Sequence, residues 1–115
     1  MDETLIRKRD SYRRDLTIAL DRIVKSLKIN PEVQKVILFG SFAEGRSDLF
    51  TDLDLLVIMN SKDDFVTRTA ELYASLNPGV DLDLLVYTPL EFNHLNQKSF
   101  LKNALKDGLV LYEKE

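Results

Sequence analysis

The chain has 115 residues, with 16 Lys and Arg against 19 Asp and Glu and a formal net charge of −3. That length suits one domain with a sizeable core and no second one, and the near balance of charge makes no general case for nucleic-acid binding. The absence of cysteine excludes a disulfide framework and a thiolate zinc site, while leaving the redox compartment open. The start, Met1-Asp2-Glu3, is charged rather than apolar, unlike a secretory signal. No apolar run approaches membrane-spanning length. The expectation is a cytoplasmic protein with no membrane contact.

In chain order, Asp2 to about Lys28 reads as one long helix. Tyr12, Leu16, Ala19, Leu20, Ile23, Val24 and Leu27 recur at three- and four-residue spacing, an amphipathic stripe. Arg7, Lys8, Arg9, Arg13 and Arg14 make its first half basic, either as a solvated face or as a contact for an acidic partner or phosphate. Asn30-Pro31 breaks the helix. Val36 to Phe39 is a compact apolar strand ending at Gly40-Ser41, with a short helix expected from Ser41 to Arg46 and a loop from Ser47 to Thr51.

The hexapeptide Asp-Leu-Asp-Leu-Leu-Val then occurs twice, at Asp52–Val57 and Asp81–Val86. Each copy reads as a buried strand with an acidic end. Between them Asn60-Ser61-Lys62-Asp63 can cap a helix whose apolar face would be Phe65, Val66, Thr69, Leu72, Tyr73 and Leu76, stopped by Asn77-Pro78-Gly79. After the second copy, Thr88-Pro89-Leu90-Glu91 is a capping box with Pro at the first helical position. Helical structure should run to Asp107, with a break near Asn96, and Gly108 should stop it. Leu109 to Tyr112 is a candidate edge strand.

Geometry constrains these elements. The strand from Asp52 spans roughly 26 Å, and a helix of about 13 residues returns roughly 20 Å. The two acidic strands can therefore run parallel through a right-handed crossover. The strand ending at Gly40 has only a short connection to Asp52 and should run antiparallel to it. Gly40-Ser41 and both Asp-Leu-Asp starts then meet at one corner of a small sheet. Within each copy the two Asp share a face, about 7 Å apart. Such crowding fits either solvated strand ends or divalent cations held between the carboxylates. Gly40 permits close backbone approach, and Ser41 opens a helix, where an anion is favoured.

Gly40-Ser41, a ten-residue spacer, then Asp52-Leu53-Asp54 on an apolar strand resembles the signature of the minimal nucleotidyltransferases, in the polymerase-beta-like nucleotidyltransferase superfamily. The resemblance covers about Val36 to Thr88. It implies an α/β fold, a small mixed sheet with helices packed on it. The chain would be a single nucleotidyltransferase domain, 1–115, with an N-terminal helix 2–28 and a catalytic core 33–112. It implies that Gly40 and Ser41 hold the triphosphate and that Asp52 and Asp54 ligate two Mg2+ ions, with ATP as substrate. Asp81 and Asp83 both lie on the strand that carries the third carboxylate. Asp83-Leu84-Leu85-Val86-Tyr87-Thr88-Pro89 matches the family spacing better, so Asp83 is taken as third ligand and general base. Thr51 stands where many members have Ser, and Glu44 where some have Arg, with Arg46 as one substitute. His94, the one histidine, is read as structural.

The chemistry agrees with the resemblance, since two divalent ions can stabilise both the attacking and the leaving oxygen of an in-line transfer at phosphorus. The chain has almost nothing beyond the expected catalytic core with which to bind an acceptor. That surface must come from a partner or from a second copy in a homo-oligomer. In the minimal family the partner is commonly a HEPN-domain protein, which implies an antitoxin that adenylylates a tyrosine of a toxin. The alternative is a nucleotide-binding or partner-masking module without turnover.

Overall fold

The computed structural model describes residues 3–45, 52–95 and 98–115. The element order is α1 (Glu3–Lys28), β1 (Val33–Phe39), α2 (Gly40–Ala43), β2 (Leu53–Met59), α3 (Phe65–Leu76), β3 (Leu82–Tyr87), α4 (Pro89–Leu95), α5 (Ser99–Leu105) and β4 (Leu109–Glu113). The strands form one mixed sheet in the order β3-β2-β1-β4. β2 and β3 pair in parallel with Leu53 opposite Leu82 and Asp54 opposite Asp83, so the two hexapeptides lie in register. β1 runs antiparallel to β2 and places Phe39 opposite Asp54. β4 closes the far edge, antiparallel to β1.

Side-chain alternation sorts the strands onto two faces. Val36, Leu38, Leu53, Leu55, Val57, Leu82 and Val86 pack with Leu16, Ile23 and Leu27 of α1 and Leu72 and Leu76 of α3. Ile37, Leu56 and Ile58 pack with Leu101 of α5 on the other face, alongside Phe92 of α4. The sheet is therefore a middle layer between two helical layers. Asp52 and Asp54 fall on the α4–α5 side of β2, because Leu53 is fully buried on the other.

The capping box forms as expected: the Thr88 amide donates to Glu91 Oε1 at 2.9 Å and the Glu91 amide donates to Thr88 Oγ1 at 3.2 Å. Two expectations shift slightly. Asp64 rather than the preceding residues caps α3, its carboxylate accepting from the Thr67 amide at 2.8 Å, and α5 ends at Leu105 rather than Asp107. The α3 face differs more. Its buried residues are Arg68, Leu72 and Leu76, whereas Phe65, Val66 and Tyr73, expected in the core, are 38%, 74% and 41% exposed. The reason is Arg68, 4% exposed. Its guanidinium donates to the Val86 and Asp63 carbonyls, both at 3.1 Å, and to the Glu91 carboxylate. These three acceptors join the start of α3, the end of β3 and the cap of α4, and they turn α3 so that the arginine faces inward.

Candidate active site

The expected corner forms. Gly40 follows directly on β1 and opens α2, and β2 and β3 begin beside it. Gly40 has φ +78°, a conformation that L side chains rarely adopt. A methyl group in place of its α-hydrogen would sit 2.1 Å from Asp54 Oδ2 and 2.9 Å from its Cγ. Glycine is thus required twice over, by the backbone angle and by the carboxylate lying against it. Ser41, half-buried, is the second residue of α2. That helix is a single turn, so its dipole is small, but the first amides of any helix lack intrahelical partners and can meet an anion. Arg46 to Thr51, which carry the expected loop, the substitute base and the hydroxyl before Asp52, lie outside the described residues, as does Asn96.

The carboxylates crowd one another. Asp54 lies directly opposite Asp83 across the parallel strand pair. Burial first, then its neighbour Asp83 and the negative charge of Asp52, push its carboxyl up to about 6. Asp52 is raised as well, by burial first and then by Asp81 and Asp83. So Asp52, Asp54 and Asp83 converge electrostatically, with Asp83 the direct neighbour of Asp54. Asp81, one residue before β3, is exposed and gives its backbone carbonyl to the Leu53 amide at 3.1 Å. Sequence reasoning missed Tyr12 here. It packs half-buried against the core, and burial together with the charges of Asp81 and Asp52 raises its hydroxyl. Its stripe position alone marks it as a core residue, and no sequence signal links α1 to the carboxylates. His94 is exposed in the last turn of α4.

The donor set fits Mg2+. Among the described residues no three carboxylate or imidazole groups close on one point as a ready-made cage. An open, mutually repelling set of hard oxygens is nonetheless what this ion uses when substrate phosphates complete its shell. A cation there would offset the repulsion among these carboxylates.

A family described as "Polymerase beta, Nucleotidyltransferase" matches residues 21–115. A Methanocaldococcus jannaschii protein that carries the name of a candidate protein adenylyltransferase is 32% identical over 96 residues, covering 82% of this chain and 95% of that one. A toxin–antitoxin crystal structure with AMP-PNP contains a chain 26% identical, with TM-score 0.55, covering 83% of this chain and 73% of that one. A variant of the MntA–HpeT toxin–antitoxin pair matches at 26% identity and TM-score 0.52, over 83% of this chain and 72% of that one. No helix among the described residues is long and apolar enough to cross a membrane.

Proposed function

The chain belongs to the polymerase beta nucleotidyltransferase family and is a nucleotidyltransferase, and from that premise we propose that it moves AMP from ATP to a tyrosine hydroxyl of a HEPN-domain toxin, as the antitoxin of that pair. The observation that carries the reading is the corner itself. A position that only glycine can occupy, a serine at a helix start and three carboxylates at the starts of two parallel strands come together there. The protein relative named for adenylyl transfer and the toxin–antitoxin likenesses support the choice of a protein acceptor.

In this reading Asp52, Asp54 and Asp83 hold two Mg2+ ions, which when bound neutralise the phosphate oxygens and the charge developing in the transfer. Gly40 lets the triphosphate approach the backbone, and Ser41 donates its hydroxyl to it. Asp83 orients the acceptor hydroxyl and takes its proton. The tyrosine oxygen bonds to the α-phosphorus, the bond from that phosphorus to the bridging oxygen breaks, and pyrophosphate leaves with the electron pair.

Asp54→Asn separates this reading from simple masking. Transfer predicts that the variant still binds the HEPN-domain protein but no longer neutralises it. Neutralisation at wild-type strength by the variant would mean that covering the toxin suffices.

A further inference from the structure

We propose that the outer edge of β3, together with the uncovered face of α3, is where the acceptor protein docks, by adding an extended segment beside Asp83. This rests on the function proposed above and names the mode of recognition at that site.

β3 is an edge strand, and no strand among the described residues pairs on its outer side. The Asp81 carbonyl points inward, to Leu53. By strand alternation the backbone groups of Leu82, Leu84 and Val86 point outward. The Val86 carbonyl is already taken by Arg68, and Phe65 stacks near Tyr87 with ring centroids 5.5 Å apart. The far end of the edge is thereby closed. What remains is Leu82 to Leu84, the end that carries Asp83. A long bare edge invites indiscriminate pairing, and a short one limits it.

Above this stretch lies a groove of about 490 Å³ lined by Val66, Ala70 and Tyr73 of α3 and by Leu82, Asp83 and Leu84. α3 thus carries an apolar face that the described residues do not bury. The residues lining the groove include no cation, and Asp83 lies within it while Asp64 and Asp81 flank it in sequence. Charge complementarity therefore calls for a segment that is apolar and bears Lys or Arg. A segment added as a strand presents successive side chains to opposite faces of the sheet. The hydroxyl-bearing residue would lie on the Asp83 face, and its two neighbours would face α3. The proposed acceptor site is accordingly a tyrosine between two apolar residues with a basic residue close by.

The test uses the full chain and the HEPN-domain protein. Hydrogen exchange is followed with and without that protein, and affinity is measured for wild type, Val66→Lys and Ala70→Lys. Both substituted positions are exposed, so folding is expected to persist and is checked by thermal melting. The proposal expects new protection of the Leu82 and Leu84 amides, and an affinity loss of about tenfold or more in each variant with ATP binding unchanged. Binding without protection at β3, or with both variants at wild-type affinity, overturns the surface and leaves the function standing. A wild type that binds ATP but not the HEPN-domain protein overturns the functional reading, and the surface falls with it. Self-association of the wild type that Val66→Lys abolishes would make a second copy the occupant and also overturn the proposal.

Discussion

Replacing Gly40 by Ala perturbs the backbone and the chemistry through one methyl group, and the two effects can be separated. The φ of +78° places a Cβ in the left-handed region, at a cost of about 1–2 kcal/mol. The new Cβ would also lie 2.1 Å from Asp54 Oδ2. The carboxylate must swing away, at about 0.5–1.5 kcal/mol for an off-rotamer side chain. Together these give about 2–3 kcal/mol, a fall in melting temperature on the order of 10 °C for a domain of this size. Adenylyl transfer should fall much further, about 100-fold, because displacing a group near the reacting centre by an ångström costs on that scale. The assay is a double-mutant cycle by chemical denaturation, with Asp54→Ala as the second substitution. In the Asp54→Ala background the overlaps with Oδ2 and Cγ are gone and only the Cβ, 3.2 Å away, remains, so Gly40→Ala should cost little more than its backbone part. Equal costs in both backgrounds, or a Gly40→Ala protein of wild-type activity, would refute the reasoning.

Arg68→Met should destabilise by about 2–4 kcal/mol, because the Val86 and Asp63 carbonyls lose a buried donor; urea denaturation measures it, and a loss below about 1 kcal/mol would show the network to be dispensable. Glu91 is held below its ordinary carboxylate value by Arg68 first and by the Thr88 amide. A lowered folded value means stability present above the unfolded value and lost as pH falls through the folded one, so Glu91→Gln should flatten the acid side of a melting-temperature profile. Asp54 has the opposite sign. Its folded value of about 6 lies above the ordinary 3.8, so the metal-free protein should lose stability as pH rises between those values. In chelator, Asp54→Asn should therefore be more stable than wild type at pH 8 by about 1 kcal/mol after solvent screening is discounted, and no more stable near pH 3, as urea denaturation measures; a variant less stable than wild type at pH 8 would contradict the crowding described above. Mg2+ should raise the wild-type melting temperature and leave the Asp52→Asn, Asp54→Asn protein unmoved.

The sheet corner was legible in the sequence because several local signals demanded the same geometry. Two identical hexapeptides separated by one helix imply parallel neighbours, and the short connection after Gly40 implies an antiparallel one. The capping box at Thr88 is set by four adjacent residues and needs no tertiary information. The orientation of α3 was not legible. Phe65, Val66 and Tyr73 form the more apolar face, yet Arg68 lies inward, since its guanidinium finds acceptors from β3 and α4 that exist only in the folded chain. A clue was present in Arg68, Leu72 and Leu76 at four-residue spacing, but an arginine at that position reads as polar. Tyr12 was hidden for a similar reason, as its neighbours Asp52 and Asp81 lie some 40 and 70 positions away in a sequence that pairs them only through the fold. The choice of Asp83 over Asp81 came from the spacing to Pro89, and the structure places Asp83 opposite Asp54.

The most direct test of the central claim is transfer of label from ATP carrying it at the α-phosphate. The purified chain is incubated with Mg2+ and the HEPN-domain protein, beside the Asp54→Asn and Asp83→Asn variants. The account predicts a Mg2+-dependent label on a tyrosine of the HEPN-domain protein, absent with either variant. A wild type that binds ATP and its partner but transfers no label, or a label that persists in both variants, would contradict it.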